Sequence, residues 1–274
     1  MQVWKLNPGK QEALVILLFE EKEINLIELF RSHKENNFAL IPENETVENI
    51  LESLLSPERW QNWVDSSGKD EPPPDFYNDH EKLMMEVMRV DDHGFKKKGK
   101  IINPTQQRAH EMEKELIKSG ILDNLPSNLK IMMNPDTKLP SEEDHNIRYY
   151  YENFRRTVEH HKVRIGNYKE NHPGFKVIFF VFDESSAYIE CAEVPKSRKA
   201  GQEVMGRPHF WYRDKRFLDS FQNVGIDYLI WYAPYKRFEN RLRINELMAA
   251  IYDCNNISFQ VIEYDQSKLM SAEV

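Results

Sequence analysis

The chain has 274 residues and a formal net charge of −8, with 40% apolar and 30% charged residues. A chain this long and this apolar can bury a sizeable core, which excludes an intrinsically disordered protein. No apolar run approaches the roughly 20 residues that span a bilayer, and the first residues lack a secretory pattern. The two cysteines, Cys191 and Cys254, form no CxxC pair, so we expect no disulfide framework, no thiolate zinc site and a reducing, cytoplasmic location.

The charge is distributed unevenly along the chain. Residues 1–90 contain 9 Lys and Arg against 18 Asp and Glu, whereas residues 145–243 contain 18 basic against 12 acidic residues. Within the acidic first region, Pro72, Pro73 and Pro74 interrupt any helix or central strand. We therefore predict an acidic N-terminal subregion over 1–71 and a mixed α/β core over 72–274, with a single domain as the alternative.

The first half of the chain shows short apolar runs and helical periodicities in turn. Apolar runs predict strands at 13–19, 83–90 and 129–133, and 95–100 is a basic loop. Apolar residues at helical spacing predict helices over 24–30, 47–55 and 104–120, with Pro104 at the start of the last one and Gly120 at its end.

The second half predicts a mixed sheet. The most regular helix covers 147–165, and 175–182 is a nearly continuous apolar strand of the kind that is covered on both faces. A turn at 183–186 predicts that 187–194 returns as its antiparallel partner. Helices at 214–224 and 238–251 alternate with strands at 226–233 and 257–262. The fold class is therefore α/β (α+β), a mixed β-sheet with helices on its faces.

Two carboxylates near the third proline have the pattern of a metal site. Asp75 follows Pro74 directly, and Glu86 lies inside the strand predicted at 83–90. An ionised carboxylate inside an apolar strand is costly unless it is paired or binds a metal. Carboxylate oxygens are the ligands that Mg²⁺ prefers, so Asp75 and Glu86 are the candidate metal ligands. In the alternative interpretation, Asp75 forms a turn and Glu86 faces solvent from an edge strand.

At these residues the chain resembles the PD-(D/E)xK nuclease superfamily, whose pattern is Pro-Asp, a spacer, and Asp/Glu-x-Lys on a strand. The resemblance covers about 15 residues. It implies that Asp75 and Glu86 bind Mg²⁺ and are catalytic, together with a lysine. The chain departs from the pattern because Met88 stands at the lysine position. Lys82, at the start of the strand, is the candidate substitute, and a non-catalytic protein with a nuclease-like fold stays open.

A second acidic arrangement competes with the first. Asp183 and Glu184 follow the apolar strand, and pairing across the predicted hairpin would bring Asp183 near Glu190. The alternative is that these are turn and surface residues. His160 and His161 lack the i, i+4 spacing of a helical zinc site and are expected to be solvated.

One segment combines basic and aromatic residues in the way that nucleic-acid-binding surfaces do. Arginine and lysine contact phosphates, and aromatic rings stack on bases. The candidate nucleic-acid-binding residues are Arg207, Trp211, Arg213, Lys215 and Arg216, and the surface would be extended by Lys236, Arg237, Arg241 and Arg243. In the alternative interpretation, Trp211 belongs to the core.

The sequence leaves two function classes open. It has no glycine-rich phosphate loop, nucleophile elbow or kinase signature. The leading hypothesis is a nucleic-acid-directed, nuclease-like protein with Mg²⁺-dependent phosphodiester hydrolysis and DNA or RNA as its partner. The alternative is a non-catalytic protein-binding, inhibitory or assembly protein that acts through its acidic surface. Neither hypothesis involves a membrane, and the sequence leaves enzymatic activity and oligomeric state undecided.

Overall fold

The computed structural model describes residues 2–6, 15–16, 22–33, 38–67, 74–93, 95–98, 100–121, 130–133, 145–194, 205–221, 224–234, 236, 249–255 and 261–272. The strands are β1 (Gln2–Leu6), β2 (Val15–Ile16), β3 (Phe38–Ile41), β4 (Trp63–Asp65), β5 (Phe76–Asn78), β6 (Leu83–Val90), β7 (Phe95–Lys97), β8 (Lys100–Ile102), β9 (Lys130–Met133), β10 (Lys176–Asp183), β11 (Tyr188–Cys191), β12 (Gly206–Pro208), β13 (Tyr228–Tyr232), β14 (Ala249–Asp253) and β15 (Leu269–Ser271). The α-helices are α1 (Glu23–Ser32), α2 (Glu45–Leu55), α3 (Pro57–Trp60), α4 (Pro104–Lys118), α5 (Ile147–Lys162), α6 (Ile165–Asn171) and α7 (Lys215–Leu218).

The largest sheet in this part of the chain is mixed, and its strand order is β3-β14-β13-β10-β6-β5-β4. β10 runs parallel to both of its neighbours, β6 and β13. β5 and β4 continue from β6 as antiparallel strands, and β14 is antiparallel to β13. Because β3 and β4 precede residue 72, described parts of both predicted subregions share one sheet.

Helices cover both faces of this sheet, which confirms the predicted α/β class. Alternate residues of β10 point to opposite faces, as the pleat of a strand requires. Phe180 packs with α1 and α2, whereas Phe179 packs with α5, α6 and α7. Both phenylalanines are fully buried, because β10 is central and covered on each side.

The helix α5 begins and packs as its sequence predicts. The side chain of Asn146 caps it by accepting a hydrogen bond of 2.9 Å from the N–H of Arg148. Tyr150, Phe154 and Val158 recur at intervals of four residues and are fully buried against the sheet. This stripe fixes the face that α5 presents to β6 and β10.

The prediction that 187–194 pairs with β10 as a hairpin is wrong. The segment 188–191 does form a strand, but β11 pairs with β12 and β15 in a separate three-stranded sheet. The physical reason is that β6 and β13 occupy both edges of β10, so neither edge can accept a hairpin strand.

Three smaller predictions differ from the structure or extend beyond its described residues. The expected loop at 95–100 contains the paired strands β7 and β8. Residues 249–251 of the expected helix are the start of β14, and the helix at 214–224 is the short α7 followed by a 3-10 turn (219–221). Most of 13–19, the prolines at 72 and 73, and residues 237–248 and 256–260 lie outside the described residues.

The packing of α5 on the sheet predicts a large stability loss for Phe154→Ala. The ring of Phe154 stacks on Trp231 with centroids 4.7 Å apart, and its removal leaves a buried cavity. We expect the free energy of unfolding in urea to fall by about 3–5 kcal/mol. The matched control is Val163→Ala, at a 75% exposed position just after α5, with a change within about 0.5 kcal/mol. A loss below about 1 kcal/mol for Phe154→Ala would contradict this packing.

Candidate functional site

Asp75 lies at the point where the β5–β6 ladder ends. The last pair of that ladder joins Phe76 to Met85, and the next strand N–H, that of Val87, donates to Asp75 Oδ2 at 2.7 Å. The carboxylate therefore takes the place that a strand carbonyl would occupy. This hydrogen bond holds Asp75 against β6 at the level of Glu86, as the spacing of the two residues predicts.

Glu86 lies on the face of the sheet that α5 and α6 cover, and only 3% of it is exposed. Its Oε1 lies 2.6 Å from Nδ1 of His161 and accepts a hydrogen bond of 2.8 Å from the hydroxyl of Tyr168. Among the described residues, no hydrogen bond ends on Oε2 of Glu86 or on Oδ1 of Asp75. One oxygen of each carboxylate is therefore left for another ligand.

The environment of Asp75, including the neighbouring Glu86, perturbs its titration. Burial and the negative charge of Glu86 raise the pKa of Asp75 from its ordinary value of 3.8 to about 7, against the opposing effect of the Val87 N–H. The charges of Glu23 and Asp65 raise it further. Burial, followed by the charge of Glu86, also raises the pKa of Tyr168. A half-buried carboxylate with a raised pKa, beside a second carboxylate, attracts either a proton or a cation.

Neither position considered for the lysine of the pattern brings one to this pair. Met88, at the lysine position of the pattern, is 2% exposed and packs in the core beneath α5. Lys82 is in a turn, where its ammonium lies 3.9 Å from Asp79 and above the ring of Phe175. Lys82 lies four residues before Glu86 on an extended chain, so their Cα atoms are roughly 13 Å apart. The pair Asp75–Glu86 is therefore joined by His161 and Tyr168 and not by Lys82.

Trp211 belongs to the core, which corrects its interpretation as a base-stacking residue. It is 3% exposed, and its ring lies 4.9 Å from that of Trp231. Aromatic side chains bury the largest apolar area of any residue type, so the core holds this one despite its basic neighbours.

The basic residues of the same segment lie at the surface with partners of their own. Arg207 forms an ion pair of 2.7 Å with Glu190, and Lys215 forms one of 2.8 Å with Asp219. Arg216 lies above the ring of Tyr151 at 3.7 Å, and the exposed Arg213 lies above the ring of Tyr212 at 5.6 Å. Arg207, Arg213 and Lys215 are exposed and Arg216 is half-buried, and Trp211 offers no stacking platform beside them.

The predicted pairing of Asp183 with Glu190 is wrong, because Asp183 is held in a different network. Asp183 accepts hydrogen bonds from Tyr150, from Trp231 at 2.9 Å and from Ser185. Glu190 faces away, toward Arg207. A fully buried carboxylate with this many donors is a satisfied core group and not an open site.

Lys236 completes that network and is not part of a basic surface. It is 6% exposed, and its Nζ donates to Ser185 Oγ at 2.5 Å and to the carbonyl of Ser186 at 2.9 Å. Its ammonium also lies 3.6 Å from Asp183. The other proposed extensions of the basic surface, at 237, 241 and 243, lie outside the described residues.

His161 is the residue of the candidate site that sequence reasoning missed. It was expected in solvent beside His160, but it contacts Glu86 from the last turn of α5. The signal was present in the sequence: His161 lies seven residues after Phe154 and three after Val158, which places it on the buried stripe of the helix.

Comparison with known proteins identifies no relative: no protein-family model, curated protein or solved structure matches this chain. Among the described residues, no helix has the length and apolar character that crossing a membrane requires. Cys191 and Cys254 are not joined in a disulfide.

The raised pKa predicts that Asp75 makes stability pH-dependent. The folded-state pKa of about 7 lies above the ordinary value of 3.8, so the folded protein binds more protons than the unfolded chain between these values. The contribution of Asp75 to stability therefore falls as pH rises from about 4 to about 7. Asp75→Asn keeps the acceptor for Val87 but does not titrate. In the presence of a chelator, we expect the free energy of unfolding of this variant to rise relative to that of wild type, by up to about 4 kcal/mol between pH ~4 and pH ~7.

Urea unfolding of both proteins at several pH values measures this difference, and taking the difference cancels the titration of other groups. A constant gap between wild type and Asp75→Asn from pH ~4 to ~7 would contradict the raised pKa and the proximity of Glu86 that contributes to it.

Proposed function

We propose that the protein is a nucleic-acid-directed phosphodiesterase of the nuclease type, with Mg²⁺ bound between Asp75 and Glu86. The observation that carries this proposal is the buried carboxylate pair itself. Asp75 has a pKa of about 7 beside Glu86, and each carboxylate has an oxygen without a hydrogen bond among the described residues. Carboxylate oxygens fit Mg²⁺, and a cation offsets the burial and the repulsion by Glu86 that raise the pKa of Asp75.

The surrounding residues of the chain orient these two ligands. The Val87 N–H holds Asp75, while His161 and Tyr168 hold Oε1 of Glu86. A bound Mg²⁺ would supply positive charge for the phosphodiester and acidify a water molecule. Arg207, Arg213, Lys215 and Arg216 are the basic residues proposed to contact the nucleic-acid backbone. The resemblance to the PD-(D/E)xK superfamily at Asp75 and Glu86 agrees with this proposal.

A second candidate function is a non-catalytic binding protein. It is favoured by Met88, which puts an apolar side chain where the nuclease pattern has its lysine. The outer face of α2 would then be the docking surface for a basic protein partner, because Glu45, Glu48 and Glu52 are all exposed there. A cytoplasmic location is proposed for either function.

The nuclease proposal predicts Mg²⁺-dependent cleavage that requires both carboxylates. With single-stranded and duplex DNA and RNA as substrates, we expect Asp75→Asn and Glu86→Gln each to lower the cleavage rate at least about 100-fold, since each removes a charged metal ligand. The matched control is Asp79→Asn, because Asp79 is an acidic residue in the turn after β5 with a 68% exposed side chain. This variant should cleave like wild type.

Absence of cleavage by wild type on all four substrates would exclude the nuclease proposal, and equal cleavage by all variants would exclude this site. Mg²⁺ binding that Asp75→Asn removes, without cleavage by wild type, would support the non-catalytic candidate.

A further inference from the structure

We propose that Asp92, His93 and His145 form a second metal site, specific for a divalent transition-metal ion such as Zn²⁺. Asp92 and His93 are the second and third residues after β6, and His145 precedes α5 by two residues. One ligand atom from each residue lies within 4.8 Å of the other two. The three residues come from two chain segments far apart in sequence, and the fold brings them together at the carboxyl end of a parallel strand, where α/β sheets bind ligands.

The distances between the ligand atoms fit a tetrahedral ion. Asp92 Oδ1 lies 3.2 Å from Nδ1 of His145 and 3.7 Å from Nε2 of His93. In a tetrahedral zinc site with bonds of about 2.0–2.1 Å, neighbouring ligand atoms are about 3.3 Å apart. The His93 and His145 rings are 4.4 Å apart and inclined at 65°, so they are not stacked. Small side-chain shifts bring all three atoms to one centre.

Asp92 is oriented as a metal ligand by hydrogen bonds to its other oxygen. Oδ2 accepts from the N–H and the hydroxyl of Ser186, at 3.0 and 2.7 Å, and from the hydroxyl of Tyr188 at 2.6 Å. Asp92 is fully buried, so these donors fix the carboxylate with Oδ1 toward the histidines. Outer-shell hydrogen bonds of this kind are the usual support of a ligating carboxylate.

His93 has a second hydrogen-bond partner that suits a ligand. Its Nδ1 lies 3.1 Å from the hydroxyl of Thr105, at the start of α4. When Nδ1 donates to Thr105, the proton is absent from Nε2, which is the nitrogen that faces Asp92. A ligating histidine typically donates its other N–H in this way. Neutral imidazole nitrogens select transition metals over Mg²⁺, which prefers oxygen ligands.

The two histidines keep the site in contact with solvent, because the side chains of His93 and His145 are each 13% exposed. The site is also distinct from the carboxylate pair, because Asp92 follows Glu86 by six residues along β6 and its extension, which spans up to roughly 20 Å. This inference therefore does not depend on the proposed nuclease function.

The test is a calorimetric titration of Zn²⁺ into the full-length protein after a chelator has removed bound metal. We expect wild type to bind one equivalent that His93→Ala and His145→Ala bind at least about tenfold more weakly, with Thr105→Val weakened about tenfold through the loss of ligand orientation. The matched control is His160→Ala, because His160 is an exposed histidine on α5, and it should bind Zn²⁺ like wild type. Glu86→Gln should also retain the equivalent, which separates this site from the carboxylate pair.

The proposal is overturned if wild type binds no Zn²⁺ at micromolar concentrations, or if the His93 and His145 variants bind it like His160→Ala. It is also overturned if Glu86→Gln loses the equivalent while His145→Ala keeps it. Thr105→Val keeps all three ligands, so weakened binding by this variant with unchanged circular dichroism excludes misfolding as the cause.

Discussion

The arrangement of the candidate site depends on acidic side chains buried between the sheet and α5. A buried carboxylate costs several kcal/mol unless hydrogen bonds or opposite charges compensate it. In this protein α5 supplies much of that compensation, since Tyr150 donates to Asp183 and His161 lies against Glu86. These contacts are eleven residues apart on the helix, which spans about 16 Å. Two polar contacts at that separation, together with the apolar stripe between them, fix the register of α5 on β6 and β10.

The register of α5 determines which polar side chains meet the carboxylates on the covered face of the sheet. His161 and Tyr168 contact one oxygen of Glu86. The Val87 N–H holds Asp75, the residue before β5, next to Glu86. The result is an oxygen-lined position that favours a hard cation. At the other end of β6, Asp92 meets two histidines and forms a position that favours a softer ion. The two proposed ligand sets thus lie near opposite ends of α5, with packed core between them.

Local features were predicted well from the sequence, and long-range ones were not. The strand 83–90, the apolar strand β10, and the helices α2 and α5 follow from the period of their apolar residues. The mixed sheet also follows, because apolar strands alternate with helical segments in the second half of the chain. The partner of β10 was missed, since a continuous apolar run reveals burial on both faces but not which strands are adjacent. The burial of Trp211 and Lys236 depends on residues distant in sequence, which neighbouring residue types do not reveal.

Asp75 and Glu86 are proposed to form one carboxylate pair that a cation completes. Carbon-13 NMR of the Asp75 carboxyl group, titrated with and without saturating Mg²⁺, tests it most directly. In a chelator the account predicts a midpoint of about 7 for wild type and a lower midpoint in Glu86→Gln, because the neighbouring charge is gone. Saturating Mg²⁺ should move the wild-type midpoint down by more than one pH unit. A midpoint near 3.8 in the chelator, unchanged by Mg²⁺ and by Glu86→Gln, would contradict the account.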